Sequence, residues 1–196
     1  MNVNDPLERF RQWYEQARRT PGIDKPHAMA LATVGEDGRP ACRIVLLSSY
    51  DERGFVFHTN YASRKGEEIA RHPWVALTFW WDPLGYQVRI EGQAKKTSPE
   101  ESDAYFAQRP RGHQLGAWAS EQSRPIAAYE ELLERMRRFE ARFAGAPVPR
   151  PPYWGGFRVV PQTIEFWEHR ENRLHERILY ERVGESGGWR LRRLAP

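Results

Sequence analysis

Ala28-Met29-Ala30-Leu31-Ala32-Thr33-Val34, the turn Gly35-Glu36-Asp37-Gly38, and Ala41-Cys42-Arg43-Ile44-Val45-Leu46-Leu47-Ser48-Ser49-Tyr50 decide how this chain folds. Two apolar, β-branched runs flank an Asp-Gly pair, whose turn matches the twist of an antiparallel hairpin. The run Ile44 to Leu47 is too continuous for a sheet wetted on one face, and it predicts a central strand. A second turn, Asp51–Gly54, leads directly into a third strand, Phe55–Thr59. Parallel neighbours need a long crossover, so these short connections argue against a parallel dinucleotide-binding sheet.

Outward from this hairpin, strands are expected at Pro73–Trp81, Gln87–Lys95, Arg158–Val160, Thr163–Trp167 and Ile178–Val183, the last with a hairpin return at Trp189–Leu194. Helices are expected at Leu7–Arg19 after Asp5-Pro6, at Ser63–Arg71, and from the Thr97-Ser98-Pro99 cap to Gln108. His113–Ser120 reads as a short helical or coiled segment. The longest helix starts at Gln122-Ser123-Arg124-Pro125 and runs through Ala144, with Leu132, Leu133, Met136, Phe139 and Phe143 on one stripe. Pro147, Pro149, Pro151 and Pro152 make a stiff crossing rather than a domain boundary. The reading is one domain, mainly β with inserted helices, closed as an antiparallel barrel of about eight strands.

A chain of 196 residues with 40% hydrophobic and 13% aromatic content can bury a core and is not a disordered segment. Trp13, Trp74 and Trp80 are assigned to that core, whereas Trp81 and Tyr86 look exposed. Cys42 is the only cysteine, which excludes a disulfide frame and a cysteine-based zinc site; its strand context reads as a small buried hydrophobe. No apolar signal region and no membrane-length apolar run is present, so a cytoplasmic, soluble protein without a membrane partner is expected. The net charge of +4 is spread among acids with no continuous basic tract, which argues against nucleic acid as a partner. No G-x-G-x-x-G, P-loop, H-E-x-x-H or G-x-S-x-G motif occurs, and no metal site is expected.

Two stretches carry chemistry. In Ser63-Arg64-Lys65-Gly66, Ser63 reads as the N-cap of a helix whose first turn holds two cations. The helix dipole disfavours cations there, so the arrangement makes sense around a bound anion such as phosphate. In Trp167-Glu-His-Arg-Glu-Asn-Arg173-Leu-His175-Glu-Arg177, an extended chain would turn Arg173, His175 and Arg177 to one side. Two guanidinium forks around an imidazole can hold an anion and steer a proton or hydride.

Arg43-Ile-Val-Leu-Leu47, Thr59-Asn-Tyr-Ala-Ser63-Arg64-Lys65, Tyr105-Phe-Ala-Gln-Arg109-Pro-Arg111, Gln114-Leu-Gly-Ala-Trp118, Gln122-Ser123, Tyr153-Trp-Gly-Gly-Phe-Arg158, Ile164-Glu-Phe-Trp167, Arg173-Leu-His175-Glu-Arg177 and Arg193-Leu-Ala-Pro196 together resemble, in order, the pyridoxamine 5′-phosphate oxidase family over residues 5–196. The resemblance implies an FMN-binding split β-barrel in a single domain, 1–196, with a dimerisation and active-site region at 154–196. It implies a homodimer with FMN at the subunit interface. The implied reaction oxidises pyridoxine or pyridoxamine 5′-phosphate to pyridoxal 5′-phosphate, with O2 as electron acceptor, H2O2 as product and NH3 released from the amine. By the same resemblance, Arg43, Arg64 and Lys65 hold the FMN phosphate. Val45, Leu46, His58, Thr59, Gln87, Gln122, Ser123, Trp167 and Arg177 contact the rest of the cofactor. Tyr105 and Arg109 take the substrate phosphate with Ser48 and His113, and Arg173 and His175 cover the substrate ring as catalytic residues.

Ser48 departs from the family's usual lysine and His113 from its usual serine, so one fixed cation is missing from the phosphate seat. Two alternatives follow. One is a phenazine-biosynthesis-type FMN oxidase acting on unphosphorylated tricyclic acids, and the other is a non-catalytic flavin-binding protein.

Overall fold

The computed structural model describes residues 5–184 and 188–196. Its elements run α1 (Pro6–Arg19), β1 (Ala28–Val34), β2 (Pro40–Asp51), β3 (Gly54–Asn60), α2 (Arg64–Arg71), β4 (Trp74–Trp81), β5 (Tyr86–Lys96), α3 (Pro99–Ala107), α4 (Arg111–Ala119), α5 (Tyr129–Arg142), β6 (Trp154–Glu168), β7 (Glu176–Val183) and β8 (Gly188–Leu194). All pairings are antiparallel, in the order β3-β2-β1-β4-β5-β6-β7-β8, and β3 also pairs with β6. That second pairing closes a six-stranded barrel, with β7 and β8 as an extension, and the mainly-β split-barrel expectation holds.

β6 makes the closure possible. The expected strands Arg158–Val160 and Thr163–Trp167 are one 15-residue strand. Along one edge it pairs with β5; along the other its first half pairs with β3 and its second half with β7. Pro161 lies inside it, where the register against β5 shifts at Glu91/Gly92. A proline lacks the N–H the ladder needs, so it fits at such a bulge. Gly92 is required there: a β-carbon at this position would lie 2.1 Å from the Val160 carbonyl oxygen.

α1 plugs the barrel. Asp5 caps it by accepting from the Leu7 N–H, and its fully buried Phe10 meets Tyr50, Phe55, Phe79 and Trp81 edge-on or tilted. Trp81 is buried and donates Nε1–H to the Pro26 carbonyl, while Tyr86 stacks on Trp13 at 4.0 Å. These two aromatics are therefore structural rather than exposed. A smaller core of Phe106, Leu115, Val148 and Trp154 joins α3, α4 and α5 to the barrel. α5 starts at Tyr129 rather than near Pro125.

The outer barrel face departs most from expectation. Within the apolar run of β2, Val45 and Leu47 point inward; Ile44 is 67% and Leu46 49% exposed. Trp74 (45%) and Trp80 (51%) are exposed on β4 instead of lying in the core, and Cys42 is exposed rather than buried. The apolar run in β2 reflects two apolar faces, of which this protomer covers only one. β1 turns Ala28, Ala30 and Ala32 to the same outer side, leaving that side flat.

Candidate active site

A cavity of about 460 Å3 opens where β2 and β3 meet α3 and α4, and its walls include Val45, Leu46, Ser48, His58, Thr59, Lys65, Tyr105, Arg109, His113 and Gln122. Ten residues singled out in the sequence thus come together around one space. Ser48 sits at the bulge between Leu47 and Ser49, where the β2–β3 register shifts, and its side chain hydrogen-bonds with that of His58 on β3, Ser48 Oγ to His58 Nδ1, at 2.8 Å. His58 stacks on Tyr105 with ring centroids 3.8 Å apart, and Trp154 lies parallel at 5.3 Å. Arg109 sits over Trp154 at 4.5 Å.

Burial, reinforced by the positive charge of Arg109, lowers the His58 imidazole to about 4, so it is neutral at physiological pH. Burial also pushes the Arg109 guanidinium down. His58 Nε2 and Arg109 Nη1 are buried polar atoms without a hydrogen-bond partner. Such orphans are rare in folded proteins and mark places where a ligand supplies the missing partner. An anionic group is what Arg109 requires.

Also in the cavity wall, Lys65 donates to Gln122 Oε1 (3.0 Å) and Thr59 Oγ1 (3.3 Å). No carboxylate pairs with it among the described residues. Burial, with the charge of Arg43 nearby, lowers its ammonium pKa. Ser63 is the N-cap of α2, accepting from the Gly66 N–H as expected. Arg43 and Arg64, however, do not line the cavity. Both converge on Glu68, a buried carboxylate that accepts from Arg64 Nε at 2.7 Å, Arg43 Nη2 at 3.0 Å and the Thr33 hydroxyl. Burial alone would raise the Glu68 carboxyl; the hydrogen bonds from Thr33, Arg64 and Arg43 outweigh it and hold the group below the usual carboxylate range. Two guanidiniums share one carboxylate, with the unpaired Lys65 ammonium close by, and the surplus positive charge fits a phosphate group.

Gln87, Trp167, Arg173, His175 and Arg177 lie elsewhere, on the far side of the barrel. Trp80, Gln87, Trp167 and Arg177 form one cross-strand row over β4, β5, β6 and β7. Arg177 is paired with Glu165 at 2.7 Å, and the bond raises its guanidinium pKa. Residues 171–173 form a single 3-10 turn and β7 begins at Glu176. The segment is not extended, so the expected one-sided row of Arg173, His175 and Arg177 does not exist. Instead the His175 ring packs on Trp167 at 4.4 Å. Ser123 is exposed, with φ 73°.

Sequence reading missed Glu68, Trp154, Gln108 and Pro110. Arg64 and Glu68 are spaced i, i+4, which reads as an ordinary surface pair on a helix.

Residues 15–143 match the family model for pyridoxamine 5′-phosphate oxidase, and residues 154–196 match that for the pyridoxine 5′-phosphate oxidase C-terminal dimerisation region. The chain is 59% identical to the pyridoxine/pyridoxamine 5′-phosphate oxidase of Rubrobacter xylanophilus, over 98% of this chain and 87% of that one. It is 54% identical to the enzyme of the same name from Myxococcus xanthus, over 98% and 92% of the two chains. Among solved structures it resembles PhzG from Burkholderia lata in complex with tetrahydrophenazine-1-carboxylic acid, with 33% identity, a TM-score of 0.92 and coverage of 100% and 94%.

Proposed function

Because this chain belongs to the pyridoxine/pyridoxamine 5′-phosphate oxidase family, we propose that it is an FMN-dependent oxidase converting pyridoxine 5′-phosphate or pyridoxamine 5′-phosphate to pyridoxal 5′-phosphate. O2 takes the electrons and leaves as H2O2, and the amine substrate also releases NH3. The observation that carries the reading is that two cations, Arg109 and Lys65, line one cavity with no carboxylate partner among the described residues. Arg109 has an orphaned donor, and the charge of Arg43 lies near Lys65.

Lys65, Arg43 and Arg64 would hold the FMN phosphate, supported by the surplus of cations around Glu68. Val45, Leu46, His58, Thr59, Gln122 and Ser123 would contact the rest of the cofactor from one subunit, with Gln87, Trp167 and Arg177 contributed by the other. FMN, when bound, supplies the hydride acceptor and the route for electrons to O2. Tyr105, Arg109, Ser48 and His113 would seat the substrate phosphate, and Arg173 and His175 would cover the substrate ring. The protein's part is placement: both anions are pinned, and the pyridine ring is held between them.

The two groups of site residues sit apart in one protomer and share the outer sheet face, which carries Ile44, Leu46, Trp74 and Trp80. A homodimer formed on that face would join one subunit's cavity to the other's Trp167–Arg177 region. The dimerisation-region match at 154–196 supports this. No helix among the described residues is long and apolar enough to cross a membrane, and a single-domain cytoplasmic enzyme completes the proposal.

The Ser48–His58 pair is neutral where the family usually has a lysine, and this favours one second reading. The pocket would then take an unphosphorylated aromatic acid, as a phenazine-type oxidase does. A visible spectrum of the purified protein, followed by anaerobic addition of pyridoxine 5′-phosphate, separates the readings. Flavin absorbance that bleaches with this substrate and returns with air is the expected result. Flavin that ignores it but bleaches with a dihydroaromatic carboxylic acid would replace the B6 reading, and no flavin after reconstitution would remove the cofactor assignment.

A further inference from the structure

Asn172 and Arg173 are consecutive residues in the left-handed backbone region, with φ of 56° and 59°. Residues with a β-carbon avoid this region, and asparagine tolerates it best among them. Two in succession need surroundings that hold them. Arg170 provides a clamp: its guanidinium pairs with Glu168 at 3.1 Å and with Glu176 at 3.5 Å, the last residue of β6 and the first of β7. Its backbone N–H donates to His175 Nδ1 at 3.2 Å. His169 is tied to the β4–β5 turn, its N–H donating to the Gly85 carbonyl at 2.8 Å. The His175 ring rests on Trp167 at 4.4 Å, with His169 at 5.3 Å.

The geometry has two consequences. Arg173 and Leu174 (69% exposed) stand out from the loop, and Arg173 has no ion pair among the described residues. His175 has its Nδ1 occupied as an acceptor, so the neutral ring carries its proton on Nε2 and can only donate from there. Desolvation, helped by the charges of His169 and Arg173, lowers the His175 pKa and favours that neutral form.

We infer that Asn172 is a positioning residue. Its left-handed conformation turns the chain so that Arg173 projects toward the substrate while His175 folds back onto the Arg170 N–H and presents Nε2–H as a donor to an acceptor on the substrate ring. The inference rests on the reading of Arg173 and His175 as the groups that cover the substrate. Asn172 acts through its backbone, and its amide needs no partner for this role.

The test is a series at position 172 in the flavin-loaded dimer: Asn172→Gly, Asn172→Asp, Asn172→Ala and Asn172→Val, with Arg173→Ala as reference. Turnover is scored per bound flavin, and pyridoxal 5′-phosphate affinity is measured by titrating the flavin-loaded protein and following the flavin spectrum. The expected order follows left-handed propensity. Glycine stays within about threefold of the parent, aspartate is next, alanine lower, and valine loses about 10- to 100-fold. Product affinity falls in the same order, while flavin content and dimerisation hold. Rescue by aspartate but not by glycine would show that the side-chain amide matters instead and would overturn the inference, as would full turnover in Asn172→Val. Full turnover and full product affinity in Arg173→Ala would instead bring down the underlying assignment of Arg173, an outcome distinct from either of these.

Discussion

Glu68 shows what a single side chain does here that the sequence conceals. Ser63, Arg64 and Lys65 stood out in the sequence because cations in a first helical turn oppose the dipole. That Arg43 and Arg64 are held apart from the cavity by a shared carboxylate was not legible, because Arg43 lies on β2 and meets Glu68 only after folding. Removing one partner of a buried ion network leaves uncompensated charge, so Glu68→Gln is expected to cost about 3 kcal/mol in urea denaturation. The same change should reduce FMN retention on gel filtration, since both guanidiniums lose their anchor. His58 gives a second prediction at this scale. Its folded value of about 4 lies below the ordinary 6.5, so above pH 6.5 both states are neutral and the group has no effect. As the pH falls toward 4, only the unfolded chain takes up the proton, and stability is lost through that window. Denaturation at pH 7 and pH 5 should show the parent losing about 1 to 2 kcal/mol more than His58→Phe, after allowing for partial exposure. Equal losses would mean that the imidazole is not held neutral.

The elements were mostly legible where local chemistry fixes them. The Asp-Gly hairpin, the Ser63 and Ser98 caps and the Asp5-Pro6 start all sit where short-range rules put them. β6 was misread as two strands because Pro161 signals a break, and only the neighbouring strand shows that it is a bulge in a continuous ladder. Likewise α5 begins four residues beyond Pro125, since the Ser123–Pro125 start signal belongs to the turn that precedes the helix. The 170–175 loop was misread for the opposite reason: arginine, histidine and arginine at alternate positions imitate a strand, while two left-handed residues in fact fold the segment back. β6 organises both barrel closure and the Trp167 platform, so its bulge has functional reach. Gly92→Ala would drive a β-carbon into the Val160 carbonyl. Thermal and urea unfolding should report a loss of about 2–4 kcal/mol. Turnover should fall with it if Trp167 and Gln87 are moved, and a neutral Gly92→Ala would show that the strand crossing relaxes freely.

At the scale of the whole molecule, the unresolved question in the sequence was why so many apolar residues compete for one core. Ile44 to Leu47, Trp74 and Trp80 read as interior, and Trp81 as exposed, because periodicity cannot distinguish a core from a face awaiting another subunit. Folding divides them: Val45, Leu47 and Trp81 go inside, while Ile44, Leu46, Trp74 and Trp80 remain outside on a sheet face flattened by the alanines of β1. An exposed apolar face of this kind marks a partner surface. It also lies between the cavity and the Gln87–Trp167–Arg177 row, so association and cofactor binding are expected to be coupled by mass action. Trp74→Glu combined with Trp80→Glu places charge on the face without touching any residue that lines the cavity. Sedimentation should show the double variant shifting toward monomer at micromolar concentration, a weakening of at least about 100-fold. Flavin should be lost in parallel, with far-UV circular dichroism unchanged. The coupling fails if the variant becomes monomeric yet keeps its flavin, because then one subunit's cavity alone would suffice to hold it.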